Sequence, residues 1–313
     1  MFTQGVICVN KPAGMTSHDV VGIVRRRLGI KRVGHTGTLD PMATGVLPVA
    51  FGKATRMIEY YAHDLKSYHA TMQLGIVTDT LDTTGEVLET HNYSGVTEED
   101  IRKAFGRMQG NVTQIPPKYS ALKVNGRRLY DYARKGQEVE IKPRQIYIAG
   151  IHDIDIDLEQ GIVSFDVDCA KGTYVRTICD DIGRELGTGA AMTALERTAS
   201  GVFNIGNSVT VDMLKEMTDE ELAECIIPVE ETLTSLGTIE ITDPVITERF
   251  MNGQEIGVDG YNIIVNTKLP EWAPSDDVMS RVYKVFSAGG EFLGTGSINA
   301  DSILHADKVI YER

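Results

Sequence analysis

The sequence predicts an α+β fold with a mixed, largely antiparallel central sheet, followed by a small all-β domain. Three observations carry this prediction. Apolar and polar residues alternate over residues 145–158 and again over residues 161–169, so the two stretches read as a hairpin turning across Glu159 and Gly161. Segments with helical spacing fall among such runs without a regular strand–helix–strand beat, which disfavours a parallel, doubly wound sheet. From about Ile239 onward the chain breaks into short strand-like runs punctuated by Gly, Pro and Asp, the pattern of a compact β-domain.

In chain order, residues 5–9 read as a short strand. Ser17 is placed to cap a helix whose apolar positions Val20, Val21, Val24 and Leu28 recur at helical spacing before Gly29, with Arg25, Arg26 and Arg27 on its other faces. Residues 67–74 alternate, with Tyr68, Ala70, Met72 and Leu74 on one side, as in a half-buried strand. Thr97, with Asp100 three residues on, opens a helix presenting Ile101, Ala104, Phe105 and Met108. In the long run, Ile146, Ile148, Ile154, Ile156 and Leu158 are expected to share a face. In its partner, Val163, Phe165, Val167 and Cys169 are expected to point inward. Val175, Ile178, Cys179, Ile182 and Leu186 mark a helix ending near Gly187. An acidic helical region over residues 212–224 precedes the terminal β-domain, whose strands are expected at residues 261–266, 281–287, 291–297 and 308–311.

At 313 residues the chain can bury a core without staples. Its four cysteines, Cys8, Cys169, Cys179 and Cys225, form no C-x-x-C pair, which argues against a disulfide framework and a cysteine zinc site. With no basic-then-apolar leader and no window approaching the ~18 apolar residues of a membrane span, the expectation is a cytoplasmic protein with no membrane association. The net charge of −13 is unevenly placed: residues 202–313 hold 7 basic against 20 acidic side chains, whereas residues 1–201 are neutral. Within the neutral part, residues 102–150 carry 11 basic against 3 acidic side chains. That block reads either as a phosphate-binding surface or as solvated charge that happens to cluster.

Several chemical-looking patterns fail on geometry. Ser17, His18 and Asp19 are contiguous and cannot face one another as a hydrolase triad. Gly52-Lys53-Ala54-Thr55 lacks the hydroxyl a P-loop uses for magnesium. His63 and His69 are too far apart for one helical face and lie near no cysteine, so no metal site is expected. The stretch over residues 34–47, GHTGTLDPMATGVL, is of another kind: three glycines and three threonines around Asp40 suit a backbone folded closely about something. On residues alone, Leu39-Asp40-Pro41 reads equally well as a turn in which Asp40 bonds its own backbone.

That block resembles the catalytic segment of the tRNA pseudouridine synthases of the TruB type, and four further blocks extend the resemblance in order over residues 5–205, besides the insertion. Asn10-Lys11-Pro12-Ala13-Gly14-Met15-Thr16-Ser17 is similar to the N-terminal motif that supports the active site; Lys66-Ser67-Tyr68 to the strand bearing a base-stacking tyrosine. Lys171-Gly172-Thr173-Tyr174-Val175-Arg176-Thr177 is similar to the motif supplying a second aromatic and an arginine paired with the catalytic aspartate, and Leu195-Glu196-Arg197-Thr198 carries the leucine of the pocket wall. Residues 116–130, PPKYSALKVNGRRLY, resemble the insertion that clamps tRNA in stand-alone bacterial enzymes.

The resemblance implies a pseudouridine synthase catalytic domain over residues 1–238, with a tRNA-clamping insertion over about residues 107–140, and a PUA-like β-domain over residues 239–313. It implies an isomerase with Asp40, Arg176 and Tyr68 as catalytic residues. Substrate contacts would come from His35, Tyr174, Leu195, Lys11, Lys118, Lys123, Arg127 and Arg128. No cofactor and no metal are expected, since the isomerisation needs no net redox change and no energy source. The implied partner is the T arm of tRNA, with no guide RNA and no obligate protein partner. The role of the β-domain is the open point, because residues 239–313 carry 6 basic against 12 acidic side chains.

Overall fold

The computed structural model describes residues 2–274 and 277–311. By contact the chain falls into two compact units, Met1–Leu39, Val46–Asp64 and Ser200–Arg313 in the first, Asp40–Gly45 and Leu65–Ala199 in the second.

The first unit is threaded by β1 (Gly5–Lys11) and by β3 (Thr44–Phe51), whose apolar residues are almost fully buried, so both strand faces are covered. Helix α1 (Ser17–Leu28) leads into β2 (Val33–His35), which pairs antiparallel with β3. The helix stops at Gly29, whose φ of 66° suits a residue without a Cβ. Its N-cap is Thr16 rather than the expected Ser17: Thr16 and Asp19 form a reciprocal capping box, which frees Ser17 to point inward.

Past β13 (Phe203–Asn204), β14 (Val209–Thr210) adds to β1 in parallel, and the acidic region forms two short helices, α5 (Val211–Glu216) and α6 (Asp219–Glu224), each capped by a threonine. β15 (Ile226–Ile227) pairs antiparallel with β1, and α7 (Val229–Thr232) follows.

A separate five-stranded sheet then forms from β16 (Gly237–Ile241), β17 (Tyr261–Val265), β18 (Val282–Phe286), β19 (Phe292–Ile298) and β20 (Leu304–Val309), in the order β17-β16-β18-β19-β20. Beside the expected sheet the segment carries one helix that the sequence reading did not place, α8 (Pro244–Met251), which buries Phe250 in its core; Asp243 at the N-cap and Pro244 at the first helical position start that helix. The last strand also begins four residues earlier than expected, since an edge strand tolerates the polar His305 and Asp307 that read as loop. Met279, Val282 and Ile310 share one apolar cluster with Met57, Tyr60 and Phe203, so the terminal sheet is built into the core of the first unit.

In the second unit the strand order is β12-β4-β11-β10-β7, from β4 (Lys66–Leu74), β7 (Gly110–Gln114), β10 (Arg144–Asp157), β11 (Ile162–Cys169) and β12 (Ala190–Ser200). The expected hairpin is β10–β11, and Val163, Phe165, Val167 and Cys169 are buried as their alternation requires. In β10 the expected face is broken. Register shifts follow Ile148 and His152, so Ile151 joins Ile146 and Ile148 in the core while Ile154 and Ile156 are only half-buried.

The hairpin of β5 (Ile76–Thr78) and β6 (Val87–Thr90) precedes α2 (Glu98–Gly106), whose Thr97–Asp100 capping box is as expected. Helix α4 (Val175–Glu185) and α2 cover the sheet, with Phe105 and Phe165 rings 4.7 Å apart. The basic insertion forms the two-residue hairpin β8 (Lys123–Val124) to β9 (Arg127–Arg128), with positive φ at Asn125 and Gly126, and then α3 (Leu129–Ala133).

Candidate active site

Asp40 opens a tight turn in which its carbonyl accepts from the Ala43 backbone N–H at 3.1 Å. Gly45 closes that turn at a φ of 97°, and a Cβ there would lie 2.2 Å from the Arg197 carbonyl oxygen, so only glycine lets the chain run beside β12. In the first unit, Ser17 fixes Leu39, the residue before Asp40, by donating to its carbonyl at 3.1 Å and accepting from its N–H at 2.8 Å.

Arg176 Nη2 lies 3.0 Å from Asp40 Oδ2. The guanidinium side chain is 6% exposed and the aspartate 39%, so the pair turns its carboxylate outward and keeps its cation inside. Three further acceptors hold the guanidinium: the Thr80 carbonyl at 3.0 Å, the Tyr119 carbonyl at 3.0 Å and Asp82 Oδ2 at 3.4 Å. Asp82 is buried and its Oδ1 accepts from Thr80 Oγ1, the Thr84 N–H and Thr84 Oγ1. The buried cation therefore stands between two carboxylates, the arrangement that burial of a charge demands.

Tyr68, on β4, is half-buried; burial pushes its phenol above the usual range, opposed by a hydrogen bond from the buried Arg197 and augmented by the charge of Asp40. Tyr174 caps α4 and is clamped by Gln114, which donates to its carbonyl at 3.1 Å and accepts from its N–H at 2.9 Å. Leu195 is buried on β12. Asp40, Tyr68, Tyr174, Arg176 and Leu195 all belong to the second unit, where Arg176 meets Asp40 and the charge of Asp40 reaches Tyr68.

Lys11 and His35 belong to the first. Lys11 is fully buried, its Nζ donating to the Pro12 and Met15 carbonyls at 2.9 and 2.7 Å, and His35 lies in β2 with its ring 6.2 Å from that of His18.

Lys118, Lys123, Arg127 and Arg128 are exposed, and none forms an ion pair among the described residues. Arg128 and Arg134 both lie over the Tyr130 ring, at 5.8 and 5.5 Å. Arg102, Lys103 and Arg107 of the same basic block pair instead with Glu98, Glu99 and Glu185, so its unpaired charge begins with Lys118.

The chain matches the model of the TruB family pseudouridylate synthase N-terminal domain over residues 25–175 and that of the tRNA pseudouridylate synthase B C-terminal domain over residues 176–234. A Clostridium perfringens protein named tRNA pseudouridine synthase B is 42% identical over 94% of both chains. The chain belongs to the TruB family of pseudouridylate synthases.

The Clostridium tetani member of that name is 45% identical over 81% of this chain and 86% of its own. Among solved structures, a chain of an archaeal box H/ACA sRNP complex superposes with a TM-score of 0.71 at 26% identity, covering 99% of this chain and 86% of that one. An H/ACA RNP bound to a substrate RNA containing 2′-deoxyuridine gives 0.69 at 25% identity, covering 99% of this chain and 86% of that one. TruB-family enzymes are isomerases, and the α+β fold with its separate terminal sheet is that of the family's neighbours. Among the described residues no helix is long and apolar enough to cross a membrane.

Sequence reasoning missed Asp82, Gln114 and Arg197 in this TruB-family site. Their only signal is polarity followed by burial: Arg197 at 2%, Gln114 at 2% and Asp82 at 4% exposure are polar side chains that must be compensated.

Proposed function

We infer that this protein isomerises uridine to pseudouridine in tRNA, its target the T-loop uridine at tRNA position 55. The Asp40–Arg176 pair carries the reading: a half-exposed carboxylate at 3.0 Å from a buried guanidinium. The N1–C1′ bond of the uridine breaks, the base turns and C5 bonds to C1′; C5 loses its proton and N1 gains one. Asp40 is the carboxylate that acts on the reacting nucleotide, and Arg176 holds it in place through the 3.0 Å ion pair. The nucleotide leaves its stack at a cost of a few kcal/mol, and Tyr68 and Tyr174 return about 1–3 kcal/mol for each base face they stack on.

The names of the relatives support tRNA as substrate. The unpaired cations of the insertion supply phosphate contacts of the enzyme's own, so we read it as working without a guide RNA. The test is tritium release from C5 of uridine in an unmodified tRNA transcript. We expect one equivalent from the transcript and none when the uridine at position 55 is replaced by cytidine. Equal release from both transcripts overturns the site assignment, and no release from either overturns the activity.

A further inference from the structure

Helix α4 carries two stripes. Val175, Ile178, Cys179 and Ile182 enter the core, while Thr177, Asp180, Asp181 and Arg184 recur at i, i+3, i+4 and i+7 and so share another side. A polar stripe of that kind ordinarily faces solvent. Here all four residues line a cavity of about 1060 Å³ within the second unit, and Thr177 and Asp180 are each only 3% exposed. Across from the stripe the insertion and its approach contribute an apolar run, Ile115, Pro116, Leu129 and Tyr132, with Asp79, Lys118, Glu138 and Glu140 elsewhere in the lining.

The charges of the stripe do not balance. Arg184 answers Asp180 at 2.9 Å, but Asp181 forms no ion pair among the described residues. Burial, and then the neighbouring Asp180, push the Asp181 carboxyl up to about 6. Thr177 Oγ1 is buried with no hydrogen-bond partner among the described residues. One positive charge and one hydrogen bond are needed at the same helix turn, beside a wall that favours methylene groups.

We propose that this cavity is a binding site for a linear organic amine, its ammonium group set between Asp180, Asp181 and Thr177 and its alkyl chain along Ile115, Pro116 and Leu129. Five carboxylate residues line the cavity against only Lys118 and Arg184, which disfavours an RNA phosphate there. A hydrated divalent ion would use the carboxylates and leave the apolar wall unemployed. The amine uses both, and the volume suits a small organic ligand.

The experiment is isothermal titration of spermidine into the RNA-free full-length protein at pH 7.5. We expect one saturable site per chain. Asp181→Asn weakens it by about tenfold or more through loss of the ion pair, while leaving tRNA isomerisation unchanged. Asp180→Asn weakens it likewise, and a fully N-acetylated spermidine fails to bind. Absence of saturable binding overturns the proposal. So does binding that neither Asn substitution alters, or binding that magnesium chloride or a short lysine peptide matches in affinity at the same site.

Discussion

Asp82→Asn is the substitution that most directly tests whether the inner carboxylate sets the Asp40–Arg176 pair. Asp82 uses its two oxygens differently: Oδ1 accepts from Thr80 Oγ1 at 2.9 Å, the Thr84 N–H at 3.0 Å and Thr84 Oγ1 at 2.5 Å, while Oδ2 faces Arg176 Nη1 at 3.4 Å. An amide has one acceptor and cannot serve both sides; either orientation sets an N–H against another donor. Two unit charges at the observed separation attract by about 5 kcal/mol at an effective dielectric of about 20, and breaking one partner of a buried pair costs about 3–5 kcal/mol. If half of that cost, about 2 kcal/mol, is expressed where Arg176 meets Asp40, kcat falls about thirtyfold.

The assay is single-turnover tritium release at saturating enzyme, with tRNA affinity measured in parallel by filter binding. Affinity is expected within about threefold of the parent, because the cations of the insertion are untouched. A variant that folds, binds tRNA and retains kcat within about threefold refutes the idea that Asp82 positions Arg176.

Asp40→Asn should abolish isomerisation while tRNA affinity stays within roughly tenfold, since the carboxylate serves the reaction and the basic insertion the binding; turnover above a few per cent of the parent would remove Asp40 from its role. Changing Arg127, Arg128 and Arg134 together to Gln should flatten log affinity against log salt by about one unit or more, as each phosphate contact contributes about 0.7–0.9. Arg249, Lys268 and Arg281 changed to Gln should move that slope much less, and an equal loss in the two triple variants would give the terminal sheet a share of the RNA.

Asp181→Asn should stabilise the fold in a pH-dependent way. The folded carboxyl is raised to about 6 from 3.8, so its stabilising protonation is complete below about pH 4 and lost as pH rises through 6. Discounted for its partial exposure, the variant should gain about 1 kcal/mol above pH 6 and nothing at pH 4. Urea melts at the two values decide it, and equal gains at both would mean that Asp181 is not held in a charge-disfavouring place.

Periodicity in the sequence was enough for the elements that bury one continuous apolar face. β4, β11, α2 and α4 lie where alternation or helical spacing puts them, because a single buried face is a local property of the chain. β10 departs because its two bulges spend residues without advancing the pairing, and a bulge leaves no mark on hydropathy. The site follows the same division. Asp40, Tyr68 and Arg176 are legible only through motif resemblance, since each alone reads as a turn, a core aromatic or a solvated charge. Asp82 sits in a run of threonines and aspartates with no period, and becomes functional only because Arg176, distant in sequence, folds onto it at 3.4 Å.

Charge shows most clearly why composition stops short of mechanism. Three of the six basic residues counted over residues 239–313 are engaged within the first unit: Arg249 Nη2 donates to the Glu255 carbonyl at 2.8 Å, Lys284 Nζ to the Glu230 carbonyl at 3.1 Å, and Lys308 pairs with Glu59 while donating to the Arg56 carbonyl at 2.8 Å. Burial also pulls the Lys284 ammonium below its usual range. Cations tied in this way neutralise neighbours rather than phosphates, so the terminal sheet offers RNA still less positive charge than its composition suggests. Removing that sheet would strip Met279, Val282 and Ile310 from an apolar cluster shared with Met57 and Tyr60. A truncated enzyme would therefore lose stability for reasons unrelated to RNA, which is why substitution of its exposed cations, and not deletion, isolates the electrostatic question.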